Sequence, residues 1–179
     1  LARSHLNGPP PSAYGALIMA TIRFADRSDT ATILRFIRAL AAYEKLEHEC
    51  FADEEGLRTY LFGPRPYAEV LLIEEDGEAH GFALFFPNFS TFLAKPGIYL
   101  EDLFVDPAQR GKGYGKALLV KLAEIAVKRG CGRLEWSVLD WNQPSIDFYL
   151  SLGARPMDEW TIYRLDGDAL SGLASAKAY

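Results

Sequence analysis

The sequence is short of the features that mark several large protein classes. It has two cysteines, Cys50 and Cys131, far apart and in no C-x-x-C pair. No disulfide framework or thiolate metal knuckle follows from them. Both sit near apolar neighbours and read as buried free thiols, as suits a reducing cytoplasm. The three histidines, His5, His48 and His80, fall at no metal-ligand spacing, and no metal is expected. No apolar run approaches the roughly 20 residues of a membrane span, and residues 1–18 lack the long apolar segment of a signal peptide. Lys and Arg number 19 against 24 Asp and Glu, a formal net charge of -5. An acidic surface argues against nucleic acid and mildly favours cationic ligands. No internal repeat or interdomain linker is visible.

What is present is one domain's worth of chain, 179 residues with 49% hydrophobic and 24% charged content, enough to bury a core. Residues 1–18 stand apart: Pro9, Pro10 and Pro11 follow Asn7-Gly8, and no period is visible. They are expected to be a tag or disordered leader before a start at Met19. The folded domain is expected over 19–168, with 169–179 as a C-terminal tail.

Thr21–Phe24 is β-prone. Ser28 or Asp29 can cap a helix carrying Ile33, Leu34, Ile37 and Leu40 on one face, which ends near Tyr43-Glu44. A short helix is expected over Glu54–Leu61, closed by Gly63-Pro64. Val70–Ile73 and Ala79–Phe86 read as a hairpin around the Asp76-Gly77 turn signal. A loop holding Pro87, Asn88 and Lys95-Pro96-Gly97 should precede a strand at Ile98–Val105, stopped by Asp106-Pro107. Gly113–Arg129 reads as a helix with Leu118, Leu122, Ile125 and Ala126 in one stripe and Gly130 as its C-cap. Arg133–Leu139 should be a strand, Pro144–Leu152 a helix and Thr161–Leu165 a last strand. The pattern predicts a mixed α/β fold with helices on the sheet faces and a parallel crossover through 113–129.

The segment richest in chemistry is Gln109-Arg110-Gly111-Lys112-Gly113-Tyr114-Gly115-Lys116, between a strand and the best-patterned helix. Alternate glycines let main-chain N–H groups converge on one point. They open a helix whose N-terminus carries partial positive charge, a fit for a diphosphate. Arg110, Lys112 and Lys116 can add charge-assisted contacts. Two other phosphate motifs fail by counting. A dinucleotide G-x-G-x-x-G from Gly111 needs glycine where Lys116 stands. A Walker loop needs glycine at Arg110 and Ser or Thr at Ala117.

What remains, R-x-x-G-x-G filled by Arg110, Gly113 and Gly115, resembles the diphosphate signature of the GCN5-related N-acetyltransferase superfamily. Ile98–Val105 resembles the central strand of its diamine and thialysine branch, with Tyr99-Leu100-Glu101-Asp102 at its middle. Asp140–Tyr149 resembles that branch's W-N-x-x-[AS]-x-x-x-Y segment, followed by Leu152-Gly153-Ala154. Ala42-Tyr43-Glu44 resembles its substrate-side motif. The likeness runs in order over roughly residues 20–168.

The resemblance implies a mostly antiparallel sheet with a splayed parallel strand pair and helices on both faces. It implies acetyl-CoA as cosubstrate, a small-molecule amine as acceptor, and a homodimer. Coenzyme contacts are expected from Leu103, Phe104 and Val105 on a bulged strand. Further contacts are expected from Arg110, Gly111, Lys112, Gly113, Tyr114, Gly115 and Lys116, and from Asn142 and Ser145. A main-chain N–H freed by the bulge would bind the thioester oxygen, an effect worth about 2.7–4 kcal/mol in measured oxyanion holes.

An alkylamine of pKa about 10.4 must lose a proton before it attacks, at a cost of roughly 4.6 kcal/mol at pH 7. Glu101 is the candidate base, acting through water; the competing role is an ion pair with a neighbouring cation. Asp102 should point to the opposite face and is given no chemistry. Tyr149 is the candidate acid for the departing thiolate. Hydrogen bonding serves as well as full transfer, because a thiol is the stronger acid by about 1.5 pKa units. A core tyrosine is the alternative. Tyr43 and Glu44 are candidate substrate contacts, with a solvated helix end as the competing role. Polyamine-using members carry an acid and a tryptophan where this chain has Ser90-Thr91-Phe92-Leu93-Ala94-Lys95. The departure favours thialysine, a lysine-like amino acid or a short diamine as the acceptor, with a polyamine left open. A protein lysine or N-terminus, or a non-enzymatic acyl-CoA-binding role, remains open.

Overall fold

A computed structural model describes residues 20–176; the calls on the leader, on Met19 and on the last three residues of the tail lie outside them. The described chain separates into two compact units, up to Ser137 and from Val138 onward.

The first unit is built on five strands in sequential order: β1 (Thr21–Phe24), β2 (Glu69–Glu75), β3 (Glu78–Ser90), β4 (Lys95–Val105) and β5 (Leu134–Trp136). Neighbours pair antiparallel from β1 to β4, and β4 pairs with β5 in parallel. The β2–β3 hairpin turns at Asp76-Gly77 with φ of 55° and 80°, the left-handed pair that such a two-residue turn requires. Helix α1 (Thr30–Glu44) and α2 (Glu54–Phe62) precede β2, and α3 (Tyr114–Lys128) connects β4 to β5.

The continuous apolar run Val70–Ile73 is explained by layers on both faces. Val70 and Leu72 join Phe82, Leu84 and Phe104 in a core with Ile33 and Phe36 of α1 and Leu61 of α2. The alternate residues Leu71 and Ile73 are equally buried, as are Leu118 and Leu122 of α3. Phe36 stacks on Phe82 with ring centroids 5.5 Å apart. Gly130 closes α3 in the left-handed region, φ 68°, as its C-cap role predicts.

Three sequence expectations need correction. Pro87 and Asn88 are not in a loop but within β3, and Lys95-Pro96-Gly97 begin β4. Beyond Phe85 the strand β3 pairs with β4 alone, so Pro87 sits where a missing N–H is tolerated. The strand expected over Arg133–Leu139 is reduced to Leu134–Trp136. The second unit holds α4 (Gln143–Ser151) and α5 (Gly167–Ser175). Thr161–Leu165 forms no strand there, because a strand needs a hydrogen-bonded neighbour and that unit's described residues supply none. No described helix is long and apolar enough to cross a membrane.

Phe82→Ala is expected to destabilise the fold by about 3–5 kcal/mol in urea unfolding. A loss under about 1 kcal/mol would mean that this face is not close-packed.

Candidate active site

The ladder between β3 and β4 skips a residue. Leu84 lies opposite Asp102 and Phe85 opposite Leu100, which leaves Glu101 without a partner. Such a bulge bends a strand and re-aims its side chains. The parallel pairing of β4 with β5 runs from Ile98–Leu134 to Leu100–Trp136 and stops there. Leu103 and Val105 therefore lie beyond the reach of β5 pairing, on a strand held on its other side by Ala83 and Gly81. Gly81 is required by close approach: a Cβ would stand 2.7 Å from the Phe104 carbonyl oxygen. The Phe104 ring is in the core, so its contribution to a ligand is restricted to main chain.

Glu101 is exposed. Asp102, given no chemistry in the sequence, stands out in the structure. Its carboxyl is pushed from an ordinary 3.8 to about 7, chiefly by burial and further by the negative charges of Glu101 and Glu44. Glu44, half-buried at the end of α1, is itself pushed upward by desolvation. The bulged strand and the helix end thus bring three carboxylates into one electrostatic neighbourhood. The adjacency of Glu101 and Asp102 was readable and the bulge was expected from the family resemblance alone; the approach of α1 was not foreseen.

The loop after β4 makes a short turn at Pro107–Gln109. It then passes through Gly111 and Gly113 with φ of 84° and 86°. Gly113 caps α3 with no side-chain acceptor on the first-turn N–H groups, which are orphans in any helix. A Cβ on either glycine would meet nothing within 4 Å. Conformation rather than crowding demands glycine there, and the space before the loop is open. This arrangement fits an anionic diphosphate. Gly115 lies inside α3, so two of the three glycines, not all three, shape the turn.

Two of the loop's cations are already engaged. Lys112 pairs with Glu75 at 2.7 Å; the pairing raises the lysine pKa and lowers that of the carboxyl. Arg110 donates through Nε to the Val105 carbonyl at 3.2 Å. Its guanidinium lies over the Tyr43 ring, 4.6 Å from the centroid. Lys116 is exposed at the first turn of α3. Tyr114 is buried, its ring stacked on His80 at 6.3 Å. Its contribution to a ligand is also main chain.

In the second unit, Asn142 is buried at the N-cap of α4, and its carbonyl accepts from Ser145 and Ile146 at 3.1 and 3.0 Å. Ser145 and Tyr149 are half-buried and, four residues apart, share one helix face. The Tyr149 ring lies 5.4 Å from that of Phe148.

Residues 33–154 match the model of the acetyltransferase (GNAT) family. The chain belongs to this family. It is therefore a GNAT acetyltransferase, an enzyme of a family that uses acetyl-CoA as cosubstrate. Among GNAT relatives, the L-ornithine N5-acetyltransferase of Arabidopsis thaliana is 36% identical, over 92% of each chain. A thialysine N-epsilon-acetyltransferase of Bos taurus is 40% identical over 86% of this chain and 96% of its own length. An integron cassette protein from the mobile metagenome of V. cholerae superimposes with a TM-score of 0.75 at 29% identity, covering 88% of this chain and 98% of that one.

Two outcomes follow for this GNAT site. Glu75→Gln frees Lys112 and is expected to tighten coenzyme A binding about two- to fivefold at low ionic strength, and less in high salt. Calorimetry at two salt concentrations reads it, and unchanged affinity in both would remove Lys112 from the cradle. Because burial raises the folded Asp102 pKa to about 7, charging that carboxyl opposes folding as pH climbs from about 4 to 7. Asp102→Asn should match the parent near pH 4 and exceed its stability by on the order of 2–4 kcal/mol above pH 7. Parallel stability profiles in denaturant titrations would contradict this.

Proposed function

We propose that the enzyme transfers acetyl from acetyl-CoA directly to a primary amine of a small molecule: thialysine, a lysine- or ornithine-like amino acid, or a short diamine. The observation that carries the reading is the meeting of Glu44, Glu101 and Asp102 where β4 loses its β5 pairing. A negative neighbourhood there suits a substrate with a second cationic group. The relatives support it, being named for ornithine and thialysine.

The main-chain donors of 111–116, with Lys116 and the partly engaged Arg110 and Lys112, hold the diphosphate. Leu103 and Val105 align the pantetheine arm by backbone, and Asn142 and Ser145 add contacts from α4. Glu101 takes the proton of the ammonium through water. The neutral amine then attacks the thioester carbon; a C–N bond forms, the C–S bond breaks, and the acylated nitrogen sheds its second proton to water. A β4 N–H steadies the carbonyl oxygen as charge builds on it. Tyr149 gives its hydroxyl proton, or a hydrogen bond, to the sulfur that leaves. Tyr43 and Glu44 face the acceptor.

The reading includes a homodimer in the cytoplasm. An exposed apolar stretch of the second unit, with Trp160, Ile162, Tyr163 and Leu165, supports association, and two free cysteines support a reducing compartment.

The test is a panel of thialysine, lysine, ornithine, short diamines and polyamines with acetyl-CoA, reading thiol release and product mass. Acetylated amino acids or short diamines are expected. A folded, coenzyme-binding protein silent on the whole panel would contradict the proposal. Tyr149→Phe should lower kcat by about 100-fold and leave coenzyme affinity within about twofold. Equal loss of both would make Tyr149 a binding or folding residue.

A further inference from the structure

Arg110 belongs to the signature loop, yet its side chain points back across the sheet edge to α1. The guanidinium covers the Tyr43 ring at 4.6 Å and lies 5.8 Å from the Phe104 ring, while Nε is fixed on the Val105 carbonyl at 3.2 Å. Its two terminal nitrogens have no partner among the described residues, so the same fork has donors left for an anion. Tyr43 packs against the α1-side core. It occupies the last turn of a helix that Lys45 closes in the left-handed region, φ 62°, with its N–H on the Ala41 and Ala42 carbonyls. The residue after Tyr43 is Glu44, whose charge is felt at Asp102. One side chain thus touches the coenzyme loop, the bulged strand and the end of the acceptor-side helix.

We propose that Arg110 is a positioning residue that couples coenzyme binding to the acceptor side through its stack on Tyr43. An anion that immobilises the guanidinium removes part of the entropic cost of holding the Tyr43 ring beneath it. The last turn of α1, and Glu44 with it, is then ordered before the amine arrives. By reciprocity, a bound acceptor that orders this turn tightens the coenzyme by the same factor. The acceptor half of this inference rests on the proposed function; the link from loop to helix does not.

The experiment is amide hydrogen exchange with and without saturating coenzyme A. In the parent protein, coenzyme should slow exchange both in 110–116 and in the last turn of α1, the latter by about two- to fivefold, as a cation–π contact of ordinary strength allows. Tyr43→Leu should keep the slowing in the loop and lose it in α1. Tyr43→Phe, which retains the ring face, should keep both. Slowing in α1 that survives Tyr43→Leu, or a parent protein protected only in the loop, would overturn the coupling. A blank amine panel beside the expected exchange pattern would instead count against the proposed acceptor alone.

Discussion

The break in β4 is the constraint on which the rest of the molecule turns. A strand inside a sheet normally has both edges of its backbone occupied, and orphaned groups there are costly. Here the bulge at Glu101 and the end of β5 pairing at Leu100 coincide. The C-terminal half of β4 is kept rigid by its ladder to β3 on one side. On the other, it is left to something other than a strand. The stacked Phe36 and Phe82 and the tight Gly81–Phe104 approach hold that half in place. Main chain placed this way is a better donor array than any loop, because it is fixed before the ligand arrives.

Charge is distributed around this break with little redundancy. Below the loop, Lys112 is shared with Glu75 and Arg110 with Tyr43 and Val105. Uncapped amides of α3 supply positive potential that needs no side chain. Around the bulge the sign reverses, with Glu44, Glu101 and a partly protonated Asp102 near neutrality. Three ionised carboxylates in one neighbourhood would repel one another. A proton on Asp102 lessens that repulsion.

Most of the scaffold was legible because its signals are local. The Asp76-Gly77 turn, the continuous apolar run of β2, the stripe of α3 and the Gly130 cap each rest on residues close in sequence. The R-x-x-G-x-G loop was legible for the same reason, down to the left-handed Gly113. What escaped depends on partners distant in sequence. Pro87 reads as a breaker until β2 is seen to end before it. The bulge is a counting mismatch between two strands; neither strand alone shows it, and it was expected only through the family resemblance. Asp102 reads as a residue of the face opposite Glu101, with no chemistry of its own, until the Glu44 end of α1 is placed near it. Thr161–Leu165 has strand-like residues but no strand beside it within its unit.

Amide-resolved NMR during titration with coenzyme A tests the central claim most directly. The account predicts that the largest shifts fall on two segments distant in sequence, Leu103–Val105 on the far half of β4 and Gly111–Lys116 at the start of α3. Shifts confined to other parts of the sheet, or none at millimolar coenzyme in a folded sample, would contradict it.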